Sequence, residues 1–180
     1  MNIIVFPDPM LFLVSSEVSK EECLSGDFQK FIDDMYTTMH KSEGIGLAAI
    51  QVAVPKRLFV VSISQKLEDN DEGYTTYCDD MVLINPEIVE YSEQKTMMPE
   101  GCLSIPEEKV ELKRSKRITV QYMDRYYNLR TLKASGWLAR CIMHENDHLN
   151  GKLLVHHVSA LKRGMISQRI RKRLLENKRR

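Results

Sequence analysis

The stretch GWLARCIMHENDHLNG, residues 136–151, constrains this chain more tightly than any other. Coiled as a helix, it puts His144 and His148 on one face, and Trp137 and Cys141 continue that face toward the N-terminus. A face carrying an indole and two imidazoles points inward. The helix is therefore predicted to be central, with other elements packed around it and Gly151 ending it. The HExxH spacing is also that of a metal chelate, two imidazoles side by side with Glu145 next to them. With five histidines in the chain, chance produces this pattern on the order of 1% of the time. The bland alternative is a helix with two core or surface histidines.

A catalytic site of this kind needs a third protein ligand and one open position. Downstream, Glu176 is the sole carboxylate and lies on a basic terminal helix, while His156 and His157 sit close to the motif. Upstream, PEGCLSIP (99–106) sets Cys102 between predicted strands. A thiolate with two imidazoles is a sound tetrahedral set, against the reading of Cys102 as a buried apolar cysteine. The four cysteines include no CxxC pair and do not form a disulfide scaffold. Reduced thiols are expected, and with them a cytoplasmic location.

The rest of the chain predicts an α+β fold: small, mostly antiparallel β-sheets around the central metal-binding helix, with an N-terminal helix and a C-terminal helix. Phe28, Phe31, Ile32, Met35 and Met39 recur at helical spacing, giving a helix over 27–41 with Ser25 or Asp27 as N-cap. Segments 57–63, 81–84, 87–91, 109–112, 117–123 and 128–134 read as strands, and 65–80 as an exposed loop. The length suits one domain, 1–180. No apolar run is long enough to cross a bilayer and no signal-type segment opens the chain, so no membrane partner is expected; DNA is not expected as a partner either, and a monomer is expected. From Leu161 to Arg180 nine Lys or Arg face one acid, a net of +8 within a chain of net +1. The tail, 158–180, is thus a basic helix on an acidic body, with a thin apolar stripe of Leu161, Met165, Ile166, Ile170 and Leu174.

Three stretches, GIGLAAIQ (44–51), EGCLS (100–104) and HENDHLNG (144–151), resemble in order and spacing the GxGLAAxQ, EGCLS and QHExDHLxG motifs of peptide deformylases. The likeness extends to PDP (7–9), INP (84–86) and GWLAR (136–140). Met143, Ile50, Ala53 and Tyr127 depart from the family pattern without touching a ligand, Glu145 or Gln51.

The resemblance implies hydrolysis of the formyl group from N-formylmethionyl nascent chains, releasing formate. Cys102, His144 and His148 would bind one divalent ion, Fe(II) first, with Zn(II), Ni(II) or Co(II) as alternatives, and a water as fourth ligand. Glu145 would be general base and then general acid. The Leu103 backbone N–H and the Gln51 side chain would stabilise the oxyanion. Ile45 and Gly46 would offer main-chain bonds to an extended peptide, and Trp137 and Cys141, with Ile45 opposite, would line a methionine pocket, although core packing explains those two as well. Glu100 and Arg114 would pair to fix the Cys102 loop. The basic helix would pack on the body, contact ribosomal RNA, or do both. Two rivals remain: an HExxH metallopeptidase, and a catalytically silent ribosome- or RNA-binding relative.

Overall fold

The computed structural model describes residues 1–63 and 73–177, and the side chains of Leu174 and Asn177 are not among those described. It is α+β. Five strands form one antiparallel sheet in the order β1 (Gly46–Ala48), β2 (Leu58–Ile63), β3 (Cys78–Tyr91), β6 (Arg117–Met123), β7 (Leu129–Ser135). A second, two-stranded sheet pairs β4 (Lys95–Cys102) with β5 (Ile105–Ser115).

Strand β2 explains the layering. Its run LFVVSI is apolar at consecutive positions, the pattern of a strand buried on both faces. Leu58 and Val60 join Val82 and Ile84 of β3 against helix α2 (Gly26–Lys41), which supplies Ile32, Met35 and Met39. Phe59 and Val61 point the other way, with Leu83 and Val120, toward Leu138 and Ile142 of helix α3 (Gly136–Leu149). A third cluster joins Ile105, Val110 and Leu112 of β5 to Phe6, Leu11, Leu154 and to Ile166 and Ile170 of helix α4 (Ala160–Asn177).

Ser25 caps α2, its hydroxyl accepting from Phe28 N at 3.3 Å. A short preceding helix α1 (Lys20–Leu24), capped by Ser19, has no apolar periodicity to announce it. Segments 81–84 and 87–91 are one strand, not two: Pro86 lies at an irregularity in the β3–β6 register between Ile84 and Glu87, where its missing donor costs nothing. On α4 the apolar stripe is narrower than expected, because Ile166 and Ile170 are buried while Leu161 and Met165 stand exposed; the Leu174 side chain lies outside the described residues. The loop expected over 65–80 falls partly outside them too, and from Cys78 the chain is strand.

Candidate metal centre

Helix α3 carries both histidines. Its Leu138, Ile142 and Leu149 anchor in the sheet-facing cluster, and the four-residue spacing then sets the imidazoles edge to face with centroids 5.1 Å apart. Cys102 arrives from a different element, the end of β4, where the ladder pairs it with Ile105. Its Sγ lies 3.3 Å from His148 Nε2. One ligating atom from each of Cys102, His144 and His148 falls within 4.8 Å of the others. A tetrahedral ion with bonds of about 2.3 Å to sulfur and about 2.1 Å to nitrogen gives an S···N edge of roughly 3.5 Å. The trio therefore fits a metal. Burial, assisted by His144 and Arg114, holds His148 well below the ordinary histidine range, which keeps it the neutral imidazole that ligation requires.

Glu100 organises the trio from behind. It is buried, and its Oε2 lies 3.1 Å from His144 Nδ1, leaving the Nε2 of that ring for an ion. Arg114 donates to it side-on through Nε and Nη2 at 2.6 and 2.9 Å. Arg140 adds a bond from Nη1 at 2.6 Å. Burial alone would raise this carboxyl, but the hydrogen bonds from His144 and Arg114 outweigh it and hold it at about 2. Arg114 continues to Asp147 at 2.9 Å, and Asp147 to His157 at 3.0 Å. The sequence reading missed Arg140, a buried arginine that also donates to the Leu112 and Thr96 carbonyls at 3.1 and 2.8 Å. The signal was present: Arg140 stands four residues before His144.

Glu145 is buried, and its Oε2 has no hydrogen-bond partner among the described residues. Burial pushes its carboxyl up to about 7, with His144 and the Ala48 amide pulling in the opposite direction. It fits beneath Gly46 because that residue has no side chain: a Cβ there would run into Glu145 Oε1 and lie 2.8 Å from Cys141 Sγ. Gln51 is oriented at both ends. Its Oε1 accepts from Ala48 N at 2.8 Å, and its Nε2 donates to Ser104 Oγ at 3.1 Å and toward Cys102 Sγ at 3.6 Å. Ser104, fully buried, is a second residue that sequence reasoning missed. Leu103 follows Cys102, half-buried, its Cδ1 only 2.8 Å from where a Cβ on Gly44 would lie.

A cavity of about 960 Å³ opens beside the trio, lined among others by Ile45, Gly46, Leu103, Trp137 and Cys141. Strand β1 is an edge of its sheet. The Ile45 carbonyl is already engaged, accepting from Ser62 N at 3.0 Å and Cys141 Sγ at 3.4 Å. By antiparallel alternation the Gly46 backbone groups then face the open edge. The rival third ligands stay out of the cluster: His156 Nδ1 accepts from Leu153 N at 2.9 Å, and His157 bonds Asp147.

The polypeptide deformylase family model matches residues 1–164. A peptide deformylase of Wolbachia sp. subsp. Drosophila simulans (strain wRi) is 45% identical, covering 96% of this chain and 96% of its own. The crystal structure of peptide deformylase from Ehrlichia chaffeensis superposes with a TM-score of 0.92 at 40% identity, covering 98% of both chains. The Ehrlichia chaffeensis peptide deformylase in complex with actinonin gives a TM-score of 0.89 at 41% identity over 96% of both chains.

Proposed function

Because the chain belongs to the polypeptide deformylase family and hydrolyses the formyl group from the N-terminus of nascent peptides, we propose that Cys102, His144 and His148 hold its divalent ion and that Glu145 carries the proton. The convergence of those three ligating atoms is the observation that carries this reading. Held by these three residues, a divalent ion would supply Lewis-acid character toward the formyl oxygen and a water of lowered pKa. Glu145 takes the proton from the attacking water and returns it to the departing amide nitrogen, so the C–N bond breaks and formate leaves from a free α-amine. A carboxyl poised at about 7 suits both duties. Gln51 Nε2, giving up its long contact with Cys102 Sγ, and the Leu103 N–H donate to the oxyanion, each worth about 3 kcal/mol of barrier.

The peptide adds as a strand along the open edge of β1, using the Gly46 backbone. Its methionine side chain enters the cavity between Ile45, Trp137 and Cys141. Burial keeps Cys141 a thiol, well above the ordinary cysteine range, so it serves as an apolar wall. A thiolate with two imidazoles accommodates Fe(II), Zn(II), Ni(II) or Co(II), and we assign Fe(II). The chain works as a monomeric single domain in the cytoplasm; among the described residues no helix is long and apolar enough to cross a membrane.

Formate release from a formyl-Met tripeptide by anaerobically purified, metal-quantified protein tests the assignment. Cys102→Ser is expected to abolish metal-dependent release, and Glu145→Gln to lower kcat about 10²- to 10⁴-fold. Release that survives Cys102→Ser at full rate would contradict it.

The exposed Lys162, Arg163, Arg171 and Lys172 of α4 support a ribosomal RNA contact. Truncation after Ser159 is expected to weaken cosedimentation with ribosomes at low salt; equal binding would remove the contact.

A further inference from the structure

The C-terminal helix braces one wall of the cavity from behind. In the β4–β5 ladder Cys102 pairs with Ile105 and Glu100 with Val110, so Gly101 alone stands opposite four residues, Pro106 to Lys109. Those four line one wall of the cavity. Within them Glu107 has a φ of 61°, a left-handed conformation that a residue with a side chain keeps only where its surroundings impose it.

Helix α4 supplies those surroundings. Arg173 Nη1 donates to the Pro106 carbonyl at 3.1 Å and to Glu108 Oε1 at 3.1 Å, and Arg173 Nε lies 3.3 Å from Glu107 Oε2. Arg169 meets Glu108 side-on, Nε and Nη2 donating to its two oxygens at 2.8 and 2.7 Å. Glu108 is only 8% exposed, so the planar forks act on a partly desolvated carboxylate and fix direction as well as distance. Ile166 and Ile170 seat the helix independently, in the cluster that includes Ile105 and Val110.

We propose that Arg169 and Arg173 are positioning residues for the substrate groove, holding the Pro106–Lys109 bulge in the shape that receives the peptide beyond its first residue. The proposal rests on the deformylase reading. The first residue is served by Gly46 and by Ile45, Trp137 and Cys141 beside the trio, and none of the four bulge residues hydrogen-bonds to a ligand or to Glu145 among the described bonds. A peptide longer than one residue must continue between the open edge of β1 and this wall. Loss of the arginines therefore weakens binding of longer peptides and leaves bond breaking intact.

The test compares full-length, metal-loaded protein with Arg169→Ala/Arg173→Ala on two substrates, formyl-Met amide and a formyl-Met tetrapeptide. The expected result is a KM for the tetrapeptide raised about tenfold, with kcat and the single-residue kinetics unchanged. Arg173→Lys, which keeps the charge but not the fork, should fall between. Amide hydrogen exchange over 105–109 should accelerate while exchange at Ile166 and Ile170 does not. An unchanged KM ratio between the substrates, or equal losses on both, overturns the proposal. If the double variant melts below assay temperature, Arg173→Ala alone decides, because the Arg169–Glu108 pair still tethers the helix. Absence of formate release from unsubstituted protein would instead sink the deformylase reading, and the exchange comparison would still decide whether the arginines hold the bulge.

Discussion

Glu100 is where the charge of the centre converges: one buried carboxylate accepts from two guanidinium groups and orients one imidazole. Replacing Arg114 with Ala removes the side-on pair and the link to Asp147, leaving Glu100 to Arg140 and His144. Metal retention against a competing chelator is expected to fall about 10- to 100-fold, the usual cost of losing support behind a ligand; unchanged retention would contradict this role. How far such residues could be read in advance depended on what each pattern encodes. His144 and His148 advertised themselves because both lie on one helix. Cys102 needed a second motif, since it reaches the centre from another sheet. Gln51 has no distinctive spacing and came from the motif alone. Arg140 escaped because an arginine is taken as exposed by default, whereas this one is buried among carbonyls and a carboxylate. The departures at Ala53 and Tyr127 have a backbone meaning: both adopt positive φ, 64° and 62°. Such positions cost a side chain about 1–3 kcal/mol, and Tyr127 offsets part of it through its hydroxyl, which donates to the Val18 carbonyl at 3.0 Å.

At the scale of elements, strands written as apolar or β-branched runs were legible, and those imposed by partners were not. Strand β2 declares itself through LFVVSI. Strand β1 has only three residues, and GLA, with glycines at 44 and 46, reads as a turn until β2 pairs with it. Strand β4, KTMMPEGC, contains a proline and no β-branched run, and its extended form comes from pairing with β5. The contact between α4 and the β5 bulge is likewise tertiary, and it carries a pH signature. The Arg169 hydrogen bond, against burial and with help from Arg173, holds Glu108 below the ordinary glutamate range. The folded state therefore binds this proton less tightly than the unfolded chain. Its stabilisation is fully present above the unfolded value and is lost as pH falls through the depressed folded one. The stability difference between unsubstituted protein and Glu108→Gln, measured by urea unfolding, should accordingly shrink as pH falls from neutral through and below the ordinary glutamate range. A difference that stays constant over that interval would contradict the assignment.

Over the whole molecule, one sheet lies between α2 and α3, and a second, smaller sheet delivers Cys102 to the histidines. The α+β class and the central position of α3 followed from periodicity and from the inward face of its histidines. The strand order followed from nothing local, because pairing partners are chosen by packing across the molecule. The same packing leaves Gly46 against Glu145 and Cys141 with no room for a Cβ. Every other amino acid brings that atom. An inhibitor pressed against the Gly46 backbone would therefore lean on a position that point mutation cannot reshape without displacing the carboxylate, and resistance would have to be found elsewhere along the groove.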